Sequence, residues 1–125
     1  MSEILIYVAS GLLIFWGTFH LFPVNNVVKE FGDISKDNKE ILRMEWLTEG
    51  IALIFTGLLV LLVTLFGNPF SATAGLVYYI VSGFLLALAI LSLFTGFKVN
   101  FLPYKLCPVI FGTAAVLIIL GNVLL

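Results

Sequence analysis

Residues 46–66 read WLTEGIALIFTGLLVLLVTLF. One charged residue, Glu49, stands in this run, close to its start. A helix that crosses a bilayer needs about 20 predominantly apolar residues, and the segment supplies them. A spanning strand would alternate apolar and polar residues over about 10 positions, and this run does not alternate. Lipid offers no hydrogen-bond partner to an open backbone. The segment therefore reads as a spanning helix, and the rest of the fold follows from it.

Three further apolar stretches flank it, at about 4–22, 73–97 and 106–125, each near the length a spanning helix requires. The whole chain of 125 residues is 62% hydrophobic and 10% charged, against about a quarter charged in ordinary soluble domains. The expected fold is all-α: one integral membrane domain over residues 1–125, a bundle of four transmembrane helices at about 4–22, 38–66, 73–97 and 107–125. The first stretch follows Met-Ser-Glu, with no basic n-region, so it is expected to be retained rather than removed as a secretion signal. The short uncharged turn at 67–72 makes the second and third spans antiparallel neighbours.

Between the first two spans, Pro23 stops one helix. Val24, Val27, Val28 and Phe31 then follow helical spacing, with Lys29 and Glu30 off their face. This pattern predicts a short amphipathic helix at about 24–31, lying on the membrane surface and stopped by Gly32. Asp37 and Glu40 have capping-box spacing, so the second long helix is expected to begin near Asn38. Its length of about 42 Å exceeds a hydrocarbon core of about 30 Å, so its first turns stand in the headgroup zone. Pro108 is expected in the first turn of the last helix.

All six basic side chains, Lys29, Lys36, Lys39, Arg43, Lys98 and Lys105, fall in the segments 23–43 and 98–105. Basic connections stay cytoplasmic, so both termini are expected outside. Trp16 and Trp46 near one interface, and Tyr7, Tyr78 and Tyr79 near the other, fit aromatic belts.

Glu49 is the residue that most needs explaining. A charge at the centre of a spanning helix costs about 2.5–3.5 kcal/mol, less near the interface, so Glu49 calls for a partner. Glu45, Ala52 and Thr56 continue its face toward the bundle interior. Antiparallel registration of the first two spans puts His20 at the same depth, beside Trp16. A hydrogen bond from His20 to Glu49 or Glu45 is expected. This pair is either a proton-handling or headgroup site, or a polar clasp between helices. Lys105 would pair with a glutamate or snorkel to anionic headgroups. Cys107 is either an inert small hydrophobe or a thiol activated by its helix start.

The candidate polar or ligand site is therefore His20, Glu45, Glu49, Lys105 and Cys107, lined by Trp16, Trp46, Thr56 and Ser92. Ser82, Leu85, Ala89, Ser92 and Gly96 share a face of the third span, and Gly112, Ala114 and Ala115 form a small-residue patch on the fourth; both suit close helix packing. One histidine cannot supply two axial haem ligands, and no zinc spacing, nucleotide-phosphate loop or serine-nucleophile motif is present. No catalytic residue and no metal site is assigned from sequence, and no cofactor is identified. Nothing points to nucleic acid.

The segment Phe31-Gly-Asp-Ile-Ser-Lys-Asp-Asn-Lys39, followed by Met44-Glu-Trp46, Glu49-Gly50 and Cys107-Pro108, resembles a signature of small, largely uncharacterised bacterial membrane proteins. The resemblance implies a bacterial inner-membrane protein with four helices. By architecture alone the chain is also loosely similar to the DoxX-like group, which implies fold and not function. Small multidrug transporters are similar in size, but they carry their glutamate in the first helix and have little charge bias. Three function classes stay open. The leading one is a non-enzymatic module in the bilayer that binds a lipophilic ligand or a partner membrane protein, and a homo-oligomer is compatible with it. The others are a proton-coupled transporter using Glu49, and an enzyme on a lipophilic substrate using His20 with Glu45 or Glu49.

Overall fold

A computed structural model describes residues 2–125. Among them the chain forms α1 (Ser2–Leu21), α2 (Val24–Glu30), α3 (Lys36–Phe66), α4 (Ala72–Phe94), a short 3-10 turn (Gly96–Lys98) and α5 (Leu102–Val123). Four of these helices are long and apolar enough to cross a membrane, so the architecture is that of a multi-pass membrane protein. The short helix α2 stands where the valine spacing predicts it. Gly32 follows it at φ +75°, a left-handed conformation that glycine adopts without Cβ strain.

Two helix starts differ from expectation. The Ser35 hydroxyl accepts from the Asn38 N–H at 3.2 Å, so α3 begins at Lys36 rather than near Asn38; serine and aspartate cap about equally well, and the earlier of the two takes the cap, leaving Asp37 in the first turn. α5 begins at Leu102, five residues before the expected start, with Pro103 in its first turn and Pro108 inside the helix. Both prolines can occupy a first turn, and the earlier one takes it. Ser71 caps α4 by accepting from Ala74 N–H at 3.2 Å.

Most hydroxyls within the spans are satisfied locally, the buried Ser82 hydroxyl being without a partner among the described residues. Ser10, Thr18, Thr56, Ser92 and Thr95 each donate to the carbonyl four residues earlier, at 2.7–2.9 Å. This back-bonding removes the cost of a bare polar group in an apolar solvent.

α1 is the central helix, packed against both α3 and α5, and α4 packs on α5. Glycines set the closeness of these crossings. A Cβ on Gly57 would meet the Ser10 carbonyl oxygen at 2.9 Å, and one on Gly121 would meet the Ser2 carbonyl oxygen at 3.0 Å. Small residues let helix backbones approach where no hydrophobic drive between helices exists. Ala114 and Ala115 are buried as expected, whereas Gly112 faces open space and Gly121 takes the packing role instead.

α3 and α4 follow one another in the chain but touch little. They are tied near their shared turn, where the Tyr78 hydroxyl lies 2.9 Å from Thr64 Oγ1. Thr64 spends its own proton on the Val60 carbonyl at 2.7 Å, so Tyr78 is the donor. Tyr78 is fully buried and Trp46 nearly so; both belong to the interior rather than to an aromatic belt, because each finds a polar or aromatic partner inside. Away from the Tyr78–Thr64 tie, toward the basic segments, α3 and α4 leave a cleft.

Candidate functional site

The cleft has a volume of about 670 Å³. α3 supplies one wall through Glu45, Trp46, Thr48, Glu49, Ala52 and Leu53. α4 supplies the other through Phe84, Leu88, Leu91 and Ser92. Tyr104, Cys107 and Phe111 of α5 form the back, and Val27 and Phe31 bring α2 to the mouth. The walls are mostly apolar. Glu45 and Glu49 are the charged side chains among the residues described as lining it.

His20 lies behind this wall, 3% exposed. It reaches that depth because α1 and α3 cross on glycine. A Cβ on Gly50 would stand 2.8 Å from the Gly17 carbonyl oxygen and 2.8 Å from His20 Cβ. The His20 ring is clamped on two sides: its centroid lies 4.7 Å from that of Trp46, and Trp16 meets it edge-on at 5.7 Å. Tyr104 extends the cluster, edge-on to Trp46 at 5.5 Å.

His20 Nδ1 lies 2.8 Å from the Trp16 carbonyl oxygen. A carbonyl only accepts, so Nδ1 carries the hydrogen and donates it. His20 Nε2 faces Glu49 Oε1 at 3.6 Å. That separation is within ion-pair range but too long for a hydrogen bond, and Nε2 has no hydrogen-bond partner among the described residues. Of the two expected pairings of His20, the structure forms the one with Glu49, as an ion-pair approach rather than a hydrogen bond.

The other candidates separate. Glu45 is exposed and stands on the cleft wall, not against His20. Successive helix positions turn by about 100°, so a residue four positions back is offset by about 40°, enough to swing Glu45 outward. Lys105 forms no ion pair with either glutamate among the described residues and is half-buried on α5. Arg43 is held instead by Glu40, one turn earlier on α3. Thr56 is buried with its hydroxyl on the Ala52 carbonyl, outside the cleft lining. Ser92 lines the cleft, as do Trp46 and Gly96. Ser82, Leu85 and Ala89, on the same face as Ser92, are buried in the core, so that face divides into a packed part and a cleft part.

Cys107 is buried, its thiol donating to the Pro103 carbonyl at 3.4 Å. It meets His20 and Glu49: one donor atom from each of the three lies within 4.8 Å of the others. Tyr104 is the site residue the sequence reading passed over. Its signal was Pro103, which starts α5 early and places Tyr104 on a helix one turn before Cys107.

Comparison with protein-family models, with curated proteins and with solved structures finds no match to this chain.

Proposed function

We propose that the protein is a non-enzymatic binding module of the bacterial inner membrane, which takes a lipophilic molecule with a hydrogen-bond-donating or cationic head into the cleft between α3 and α4. The observation that carries this reading is the cleft itself. Its volume of about 670 Å³ falls within the range of small-molecule sites, about 300–1,000 Å³. Its walls are apolar, and its charged lining residues are both acceptors, Glu45 and Glu49. A lipid-soluble body matches the walls, and a donor-bearing head matches the carboxylates.

The basic segments at this end would face the cytoplasm, so the molecule would enter from the inner leaflet. Toward the opposite end, Ile6, Val60, Tyr78 and Ile118 are fully buried and fill the bundle. A one-ended cleft supports binding over transport through Glu49.

The test uses a dansyl-labelled long-chain alkylamine with full-length protein in nanodiscs. Trp46 lines the cleft, so energy transfer from tryptophan to the probe should saturate with a single site. Leu88→Trp, which fills the cleft, should weaken binding about tenfold, and Glu45→Gln should weaken it by a smaller factor. Probe uptake equal to that of empty nanodiscs, or indifferent to Leu88→Trp, would sink the reading.

A further inference from the structure

Three helices each bring one potential metal ligand to a single point behind the cleft wall: His20 from α1, Glu49 from α3 and Cys107 from α5. We infer that His20 Nε2, a Glu49 carboxylate oxygen and Cys107 Sγ bind one divalent transition-metal cation of the zinc class, with its fourth position facing the α3–α4 cleft.

The argument begins at His20. The bond from Nδ1 to the Trp16 carbonyl fixes the tautomer of the neutral ring, leaving a bare lone pair at Nε2. That lone pair points at Glu49 Oε1, 3.6 Å away. Two acceptors thus face each other in a site where His20 is 3% exposed, and Nε2 has no hydrogen-bond partner among the described residues. Such a pair calls for a positive centre between its members, either a proton or a metal ion.

The third donor selects the metal. A shared proton needs only the nitrogen and the oxygen, whereas a cation gains from the sulfur as well. Zinc bonds of about 2.0–2.3 Å in tetrahedral geometry place ligand atoms about 3.4–3.6 Å apart. The His20–Glu49 separation of 3.6 Å lies within about 0.2 Å of the nitrogen–oxygen spacing of such a site. All three ligand atoms lie within 4.8 Å of one another, so closing the set takes a side-chain shift of no more than about 1 Å.

The surroundings fit the same ion. Metal-binding histidines commonly donate their second ring N–H to a backbone carbonyl or carboxylate, as His20 does to Trp16. Mixed imidazole, thiolate and carboxylate donors suit zinc. On binding, the Cys107 thiol gives its proton to solvent and binds as thiolate. A dication with one thiolate and one carboxylate is then net neutral, which suits a low-dielectric bundle. Glu49 and Cys107 both line the cleft, so the fourth position opens there, in the manner of zinc sites with three protein ligands and one exchangeable position. This site needs no lipophilic ligand; with the metal bound, Glu49 is committed to it and Glu45 is left to meet the ligand's head, so metal uptake and ligand uptake are read separately.

Cobalt(II) reports such a site directly. Chelator-stripped full-length protein in nanodiscs should take up one Co²⁺ per chain, with a thiolate-to-cobalt charge-transfer band in the near ultraviolet that Zn²⁺ abolishes by displacement. Cys107→Ser, close to isosteric, should remove the band and weaken Zn²⁺ binding about tenfold or more. His20→Gln should weaken it comparably. Glu30→Gln, exposed on α2 and outside both the set and the cleft, should leave band and affinity unchanged. Circular dichroism and gel filtration check each variant's fold; should His20→Gln fail to fold, the Cys107→Ser spectrum decides. A wild-type protein without the band, or a band that survives Cys107→Ser, overturns the site. Alkylamine binding that persists without any cobalt band sinks the metal site alone, and a cobalt band without alkylamine binding supports it while sinking the cleft reading.

Discussion

Gly17 and Gly50 face each other where α1 crosses α3, so closely that a Cβ on Gly17 would lie 2.6 Å from the Gly50 carbonyl oxygen. This crossing sets the depth at which His20 meets Glu49, since a Cβ on Gly50 would also press on His20 Cβ. Gly50→Ala should therefore destabilise the bundle by about 1–3 kcal/mol, the cost of overpacking a filled interface. Gly83→Ala is the contrast, because nothing stands within 4 Å of its added Cβ. Thermal unfolding in detergent should drop for Gly50→Ala and hold for Gly83→Ala. Equal behaviour of the two would remove the close crossing from the account of the site.

The tie between Tyr78 and Thr64 makes an asymmetric prediction. Tyr78→Phe removes a donor from a threonine that keeps its own bond to Val60, so the loss should be near the bundle average of about 0.6 kcal/mol. Thr64→Val instead leaves the buried Tyr78 hydroxyl without its acceptor, at a cost of about 1–3 kcal/mol. Unfolding free energies for the two variants should rank in that order. The reverse ranking would mean that Tyr78 is not the donor.

Much of the fold was legible because hydropathy is a local property. The four spans, the helix at Val24–Glu30 and the level of His20 beside Glu49 all follow from segment lengths and antiparallel registration. What was not legible depends on partners. Gly50 and Gly57 are visible as small residues, but the carbonyls that make them necessary belong to α1. Glu45 and Glu49 share a face in any helical projection, and only the position of α1 shows which of them meets His20. Tyr104 and Cys107 were obscured by a helix start that two prolines could mark. The sequence shows Cys107 only at a helix start, whereas its spatial neighbours are His20 and Glu49.

Orientation rests on the six basic residues and is open to labelling. In a Cys107→Ser background, Phe70→Cys lies on the short turn and Asp37→Cys at the start of α3, both at exposed positions. A membrane-impermeant maleimide applied to intact cells should modify the first and spare the second. Labelling of Asp37→Cys alone would invert the topology and move the cleft to the outer leaflet.

The cleft and the core meet on α4 within a single turn. Leu85 is fully buried, whereas Leu88 lines the cleft. Added volume at a filled position forces neighbours off their rotamers, at about 1–3 kcal/mol; added volume at a cleft wall meets space. Leu85→Trp should therefore lower the unfolding temperature markedly. Leu88→Trp should leave stability close to that of the parent while cutting alkylamine uptake. Stability and binding thus part company three residues apart on one helix. If Leu88→Trp destabilises as much as Leu85→Trp, α3 and α4 close on each other in the bilayer, and the space assigned to a ligand is already filled by protein.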